Sequence, residues 1–414
     1  MNAESGKLLS EDPFSPQVMV NPLPFYKALR DHQPVKYYPE FDTFFLSRFE
    51  DVWDALRVGD NTFLSTENSL PTPEYLRSHH NSAAPPFAST DPLAPGPTLP
   101  SPWYENMRQA HIAPLRPKAV RALGEFVSAT VEERLDDVLA KGTFDLIGDF
   151  AGLVNATVVC HLFGIDTAKA RELLALGAEI TRIDPQQGGV DFNRFFERLM
   201  DEIIPAIRAR RAAGADGGNA LIDGLVNFRM PDGRALSDEE ISNQLSCVML
   251  AGMESASKVT ATGLMELYTR PDQLAQVQAD IDTNVPIAVN EMVRFTAPAQ
   301  YTFRTAHKDT SVGGQQIRAG QRIACLLRSA SRDEREFDRP NDFIWNRDIK
   351  RVISFGLGQH HCIGKHLALL EVKTMTAAFL RRAPSIEFLL DEGERNPSCF
   401  QWGWIRMPVR VTAQ

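Results

Sequence analysis

Apolar and polar residues follow a helical period most plainly in "LSDEEISNQLSCVMLAGMESASKVTATGLMELYTRP", from Leu236 to Pro271. Ile241, Leu245, Val248, Gly252 and Val259 fall on one stripe of that period. Ser237 and Glu240 have the spacing of a capping box, Leu236 can staple onto Ile241, and Pro271 marks the stop. The predicted helix has about 33 residues, or ~50 Å at the α-helical rise, so it must cross the centre of a domain. A second helical pattern, "KHLALLEVKTMTAAFL", begins at Lys365. Strand signals are short and late. "TSVGGQQIRAGQRIACLL" reads as a small hairpin sheet with glycine turns, and "GWIRMPVRVTA" as a terminal strand. The pattern predicts a mainly α fold with a minor β part.

Two segments break this periodicity. Residues 71–102 hold nine prolines, which remove donors and restrict their neighbours, so the chain there is irregular. A structureless stretch of that length inside a domain is usually functional, and residues 60–102 read as a lid loop over a pocket. Residues 1–20 read as an extended N-terminal segment. No later segment shows a comparable break, so residues 1–414 form one domain.

Composition narrows the function. With 43% apolar and 23% charged residues the chain is a soluble globular protein with a sizeable core. A formal charge of −9 argues against nucleic acid as a general partner, which would need a basic face. Cys160, Cys247, Cys325, Cys362 and Cys399 are odd in number and scattered, the pattern of a reducing compartment rather than a disulfide framework. The N-terminus has no basic start followed by an apolar run. The apolar stretch after Phe150 is shorter than ~18 residues and contains Asn and His, so no membrane span is expected. The reading is cytoplasmic.

One loop concentrates the chemistry. "SFGLGQHHCIG", Ser354 to Gly364, packs three glycines, two histidines and a cysteine into eleven residues. Cys362 can be a buried structural cysteine, a zinc ligand with His360, His361 and His366, or a nucleophile. Structural zinc wants a second ligand cluster, which the chain does not offer. A hydrolytic cysteine needs a positioned histidine that sequence alone cannot show. The glycines decide between these readings. Gly356 and Gly358 let the backbone turn and approach something flat or bulky. Cys362 precedes a helix N-terminus, where amide dipoles stabilise a thiolate. A soft thiolate ringed by amides is how a protein ligates haem iron from one side.

Phe355, Gly356, Gly358, His360, Cys362 and Gly364 match the cysteine-ligand signature of cytochrome P450 at every defining position, and the chain resembles that family over most of its length. The resemblance implies the P450 fold, with haem b between the long central helix and the cysteine loop, and Cys362 as the iron ligand. It implies that Phe355, Gly356 and Gly358 lie against the haem on the cysteine side, and Ala251 and Gly252 on the other. "NEMVRF" resembles the family's Glu-x-x-Arg pair, so Glu291 and Arg294, on a helix started by Pro286, lock the core beneath the haem. Alone, such a pair is usually a solvated surface contact. "AGMESA" resembles the family's Ala-Gly-x-acid-Thr, which implies that Glu254 and Ser255 deliver protons to bound dioxygen. Without the resemblance, Ser255 would be a serine bonding back along its helix and Glu254 a surface acid. Serine keeps the hydroxyl of the usual threonine but loses the methyl that fixes its rotamer. His360, Arg304, Arg108 and Tyr104 fall where the family binds the haem propionates, with Tyr104 replacing a histidine. Ser331 stands where an asparagine is usual.

The implied activity is insertion of one oxygen atom from O2 into a small-to-medium apolar organic substrate, by hydroxylation or O-demethylation. No reductase domain fits in the chain, so electrons come from a ferredoxin and its NAD(P)H reductase. Arg108, Arg116, Lys118, Lys350, Arg351, Lys365 and Lys373 are candidates for a basic docking patch. Val248, Ala251, "PAQYT" and "CFQWGW" are expected to line the pocket, with Tyr301, Phe400, Trp402 and Trp404 around an apolar guest, an aromatic one included. The alternative is a haem protein that uses peroxide or acts as a sensor without O2-dependent monooxygenation.

Overall fold

The stretch with the strongest helical period is one helix, Asp238–Tyr268, 31 residues long. This computed structural model describes residues 3–65, 71–80, 99, 101–181, 192–395 and 400–411. The Ser237 hydroxyl accepts from the Glu240 amide at 3.1 Å, and the Glu240 carboxylate accepts from the Ser237 amide at 2.7 Å. Two of the four orphan donors at the helix start are thereby satisfied. Leu236 and Ile241 are buried in one apolar cluster with Leu245, Met249 and Met253. The cap is Thr269, and Pro271 opens the next helix, Pro271–Ala279.

Buried residues run unbroken from Ala256 to Leu264, so this helix is enclosed by the molecule. Helices Gly152–Phe163, Phe192–Ala212, Ile281–Thr296 and Lys365–Arg382 pack on it. Two glycines admit that packing. A Cβ at Gly263 would fall 2.0 Å from Met292 Cε, and one at Gly252 would fall 2.8 Å from Val159 Cγ2.

The β part is small, as expected, but arranged differently. Thr310–Val312 and Gln315–Ile317 form the hairpin around Gly313 and Gly314. Arg322–Cys325 leaves that hairpin and enters a five-stranded sheet, parallel to Thr43–Leu46 and antiparallel to Thr302–Ala306. The "TFFL" strand is buried on both faces, so it carries no alternation for sequence reading to find. The terminal segment is two strands rather than one. Trp404–Arg406 pairs with Glu394–Arg395, and Pro408–Val411 lies between Thr143–Asp145 and Ile386–Phe388.

Four expectations need correction or limits. The segment expected to be extended, residues 1–20, is not so over its described part 3–20, since Ala3–Ser10 and Pro16–Val20 are helical. Leu9, Phe14, Val18 and Met19 drive this by burying against Phe41 and Phe45. Within 60–102, Phe63–Leu64 is a strand and Pro73–Ser78 a helix capped by Thr72, while 66–70, 81–98 and 100 lie outside the described residues. Pro286 does not start its helix. Asp280 caps it six residues earlier by accepting the Thr283 amide at 3.1 Å, and Pro286 sits inside Ile281–Thr296. The apolar span Leu146–Phe163 reaches 18 residues, and 72% of it is buried within the protein.

Candidate active site

The loop before Cys362 is shaped by backbone. The Gly356 amide donates to Ile353 O at 2.8 Å, and Gly356 and Gly358 take φ of 66° and 68°, where a side chain is strained. A Cβ at Gly358 would also strike Leu56 O at 2.8 Å. The loop then closes on itself, with the Cys362 amide donating to Phe355 O at 2.9 Å. Gly364 caps the helix Lys365–Arg382. The surrounding protein pushes the Cys362 thiol up, against the amides of Gly364 and Lys365 and the charges of Arg108 and Lys365, which pull it down. The net direction is up, so the helix start assists the thiolate without generating it. A coordinated metal cation deprotonates a thiol outright.

Four predicted side chains meet beside this loop. Tyr104 and Arg108 lie one turn apart on the helix Trp103–His111, and Arg108 Nη1 donates to the Tyr104 hydroxyl at 2.9 Å. Arg108 Nη2 donates to His361 O at 2.6 Å, tying this helix to the loop. The His360 ring packs 4.2 Å from the Tyr104 ring. Arg304, on the strand Thr302–Ala306, is 8% exposed and donates to Thr302 Oγ1 at 2.8 Å and Phe303 O at 2.6 Å. Burial lowers its pKa, and among the described residues no carboxylate forms an ion pair with it. A buried guanidinium without a bonded carboxylate is costly, and a bound anion such as a haem propionate would offset that cost. The donor set fits haem.

Sequence reasoning missed two members of this cluster. Asp60 Oδ1 lies 3.1 Å from His360 Nε2, and Ser65 Oγ lies 3.1 Å from the same nitrogen. Both sit roughly 300 residues away along the chain and carry no motif.

The turns Ala251–Lys258 of the central helix match the plain reading at Ser255, which bonds back along its helix, and depart from it at Glu254. Ser255 is half-buried, and its hydroxyl bonds back to Ala251 O at 3.3 Å. Glu254 is no surface acid: it is 5% exposed and accepts from Lys258 Nζ at 2.6 Å. Lys258 also donates to Gln401 Oε1 at 3.3 Å. The i, i+4 spacing of Glu254 and Lys258 was a readable signal. Ala251 is exposed and Val248 half-buried, whereas the room that Gly252 makes is taken by Val159.

The two segments expected to wall the pocket do pair: Ala299 bridges Gln401, and the Gln300 amide donates to Phe400 O at 2.8 Å. Their aromatic residues do not all face a guest. Tyr301 is 2% exposed and packs edge-on to Phe14 and Phe303; Trp404 is 4% exposed in the core. Phe400 and Trp402 stay half-exposed, although Arg328 covers the Trp402 ring at 3.6 Å.

Glu291 and Arg294 are fully buried, far from a solvated pair. Arg294 also donates to Ser331 O at 2.7 Å and Pro340 O at 3.0 Å. Glu291 accepts in addition from Arg347 Nε and the Ile344 amide. Of the basic patch, Lys350 is paired with Asp348, and Arg351 with Glu50 and Glu336, so neither charge is free. Arg116, Lys118 and Lys373 are exposed and have no ion pair among the described residues. They flank a groove of ≈ 290 Å³ lined by Val120, Arg121, Leu369, Leu370 and Lys373.

Comparison with known proteins bears on the whole of this arrangement. A family model described as "Cytochrome P450" matches residues 157–402. The chain is 29% identical over 413 residues to "Putative cytochrome P450 123" of Mycobacterium tuberculosis, covering 97% of each chain. It is 29% identical over 312 residues to "6-deoxyerythronolide B hydroxylase" of Saccharopolyspora erythraea, covering 75% of this chain and 76% of that one. The solved structure of the Bacillus subtilis bacillaene synthase cytochrome P450 PksS superposes with a TM-score of 0.82 at 22% identity, covering 97% of this chain and all of the other, and shows the same fold. A family match over more than half the residues, together with a glycine-built cysteine loop and a buried arginine that has no ion pair among the described residues, leads to one conclusion: the chain belongs to the cytochrome P450 family of haem-dependent monooxygenases.

Proposed function

We propose that this monooxygenase hydroxylates or O-demethylates a small-to-medium apolar molecule, with O2 as the oxygen source and electrons from a separate ferredoxin and NAD(P)H reductase. The loop geometry at Cys362 carries the reading. Its sulfur faces the amides of Gly364 and Lys365 and would hold the haem iron. Phe355, Gly356 and Gly358 give that side of the site its shape. Arg304, His360, Arg108 and Tyr104 would hold the propionates, because they are convergent donors and one of them is a buried cation with no ion pair among the described residues. Haem, when bound, supplies O2 activation, and a thiolate ligand favours O–O cleavage.

The rest of the work falls to side chains. Ser255 Oγ and the Glu254 carboxylate would hold and pass the protons that cleavage consumes, with Ala251 and Gly252 forming the floor of the turn. Val248, Ala251, Phe400 and Trp402 would exclude water from the guest. The half-exposed aromatic surface and the hydroxylase among the relatives support this reading. Exposed Arg116, Lys118 and Lys373 beside an apolar groove support docking of an acidic electron donor. The four described cysteines are free, which supports a cytoplasmic setting. The proline-rich stretch within 60–102 would be the lid of a single domain.

Turnover with O2, NAD(P)H and a ferredoxin system tests this reading. Product that appears only with the complete system is the expected result. Product formed with hydrogen peroxide but not with O2 and electrons would replace this reading with the peroxide-using one.

A further inference from the structure

Glu254 and Lys258 place a carboxylate and an ammonium 2.6 Å apart with side chains 6% and 2% exposed. The terminal segment is shaped around that lysine. Gln401 accepts from its Nζ at 3.3 Å, and a Cβ at Gly403 would press on the lysine Cγ and Cδ at 3.1 Å. A buried pair of this kind is a weak stability device, because desolvation of two ions offsets their attraction and apolar residues often serve as well. Its value must lie in what Glu254 does. An acid that passes on a proton is left as an anion, and an isolated anion at such a buried site is strongly disfavoured. An ammonium in hydrogen-bond contact stabilises that anion and fixes where its oxygens point.

We propose that Lys258 is a positioning residue for Glu254, holding its carboxylate in place and stabilising the anion left each time a proton moves on toward Ser255. The proposal rests on the reading of Glu254 and Ser255 as the proton relay. Gln401 belongs to the wall that bridges Ala299, so the same contact ties the relay to the substrate side of the site.

A double-mutant cycle tests it in the haem-loaded enzyme with its electron donors. The variants are Lys258→Met, Glu254→Gln and their combination, and Lys258→Gln replaces Lys258→Met if that variant fails to fold. Product and hydrogen peroxide are counted per NAD(P)H, using the best-turned-over member of a panel of methoxylated benzoates, monoterpenes and steroids. Apart from turnover, the infrared carboxylate band that Glu254→Gln removes should shift in Lys258→Met, and an unshifted band would overturn the proposal. Acid–base help is worth ~10²–10⁴-fold, so Lys258→Met should lower the product-to-peroxide ratio roughly tenfold. In the Glu254→Gln background the same change should add less than about twofold, because the lysine acts through the acid. An equal loss in both backgrounds would mean that Lys258 acts on the fold at large, and the proposal fails. A parent-like ratio in the Lys258 variants beside a loss in Glu254→Gln overturns Lys258 alone. A parent-like ratio in Glu254→Gln overturns the relay reading itself, and this proposal with it.

Discussion

Around Cys362 the active-site shape is made by backbone. Two left-handed glycines, one hydrogen bond from the Cys362 amide to Phe355 O and a helix start fix the sulfur within a dozen residues of chain. Along Ala251–Lys258 the shape is made by side chains. Glu254 depends on Lys258, and Lys258 depends on Gln401, which lies 143 residues away. Backbone geometry tolerates change in most neighbouring side chains, whereas a chain of buried polar partners fails when one is removed. The two regions should therefore respond differently to substitution.

The largest expected effect lies beneath the cysteine loop, where backbone shape has one side-chain dependence. Glu291→Ala leaves Arg294 and Arg347 buried without their carboxylate. Breaking such a pair typically costs ~3–5 kcal/mol, which a denaturant melt would register. A loss under about 1 kcal/mol would show that these arginines find other partners and that the comparison is drawn too sharply.

Acid probes the same region next. His111 ends the helix carrying Tyr104 and Arg108, and burial lowers its pKa to about 4. The folded state keeps this histidine neutral while the unfolded chain protonates it near pH 6.5. Its contribution is thus full above pH 6.5 and lost as pH falls toward 4, by about 3 kcal/mol over that window. His111→Leu should flatten that part of the stability profile. An unchanged slope would place the acid sensitivity elsewhere.

The cysteine loop and the ends of the central helix were legible because their signals are local. A capping box, a stop proline and a glycine pattern act over a few residues, and each appears where it was read, apart from Pro286, which an earlier Asp280 cap overrides. Contacts between segments distant in the chain were legible in their residues but not in their partners. Tyr301 and Trp404 looked like pocket walls because composition cannot say which face of a strand meets the core. Asp60 and Ser65 reach His360 only through the tertiary fold. Arg351 looked like free charge until Glu50 and Glu336, from other segments, neutralised it, whereas the partner of Lys350, Asp348, lies two residues away.

Ser255→Ala sharpens the comparison on the side-chain-built half. The hydroxyl already leans on Ala251 O at a long 3.3 Å, so its loss should leave haem content and folding intact. Product per NAD(P)H should fall roughly tenfold while hydrogen peroxide rises, since water replaces only part of general acid–base help. Ser255→Thr should couple as well as the parent or better. Unchanged coupling in Ser255→Ala would make the residue a passive part of the helix.

The smallest effect is expected at the exposed cations. Replacing Arg116 and Lys373 with Glu should slow reduction by a ferredoxin several-fold at low salt and leave substrate affinity alone. The difference should shrink as ionic strength rises, because a Debye length of ~10 Å at 0.1 M screens exposed charges. Reduction rates that ignore both salt and substitution would mean the donor docks elsewhere.

The central claim is that Cys362 is the haem ligand. The measurement that tests it most directly is the carbon monoxide difference spectrum of the reduced protein, parent against Cys362→Ser. The parent should show the strongly red-shifted Soret band of thiolate ligation, and Cys362→Ser should lose it while Cys160, Cys247 and Cys325 remain in place. A Cys362→Ser protein that keeps the band would assign the iron to another cysteine and contradict the account.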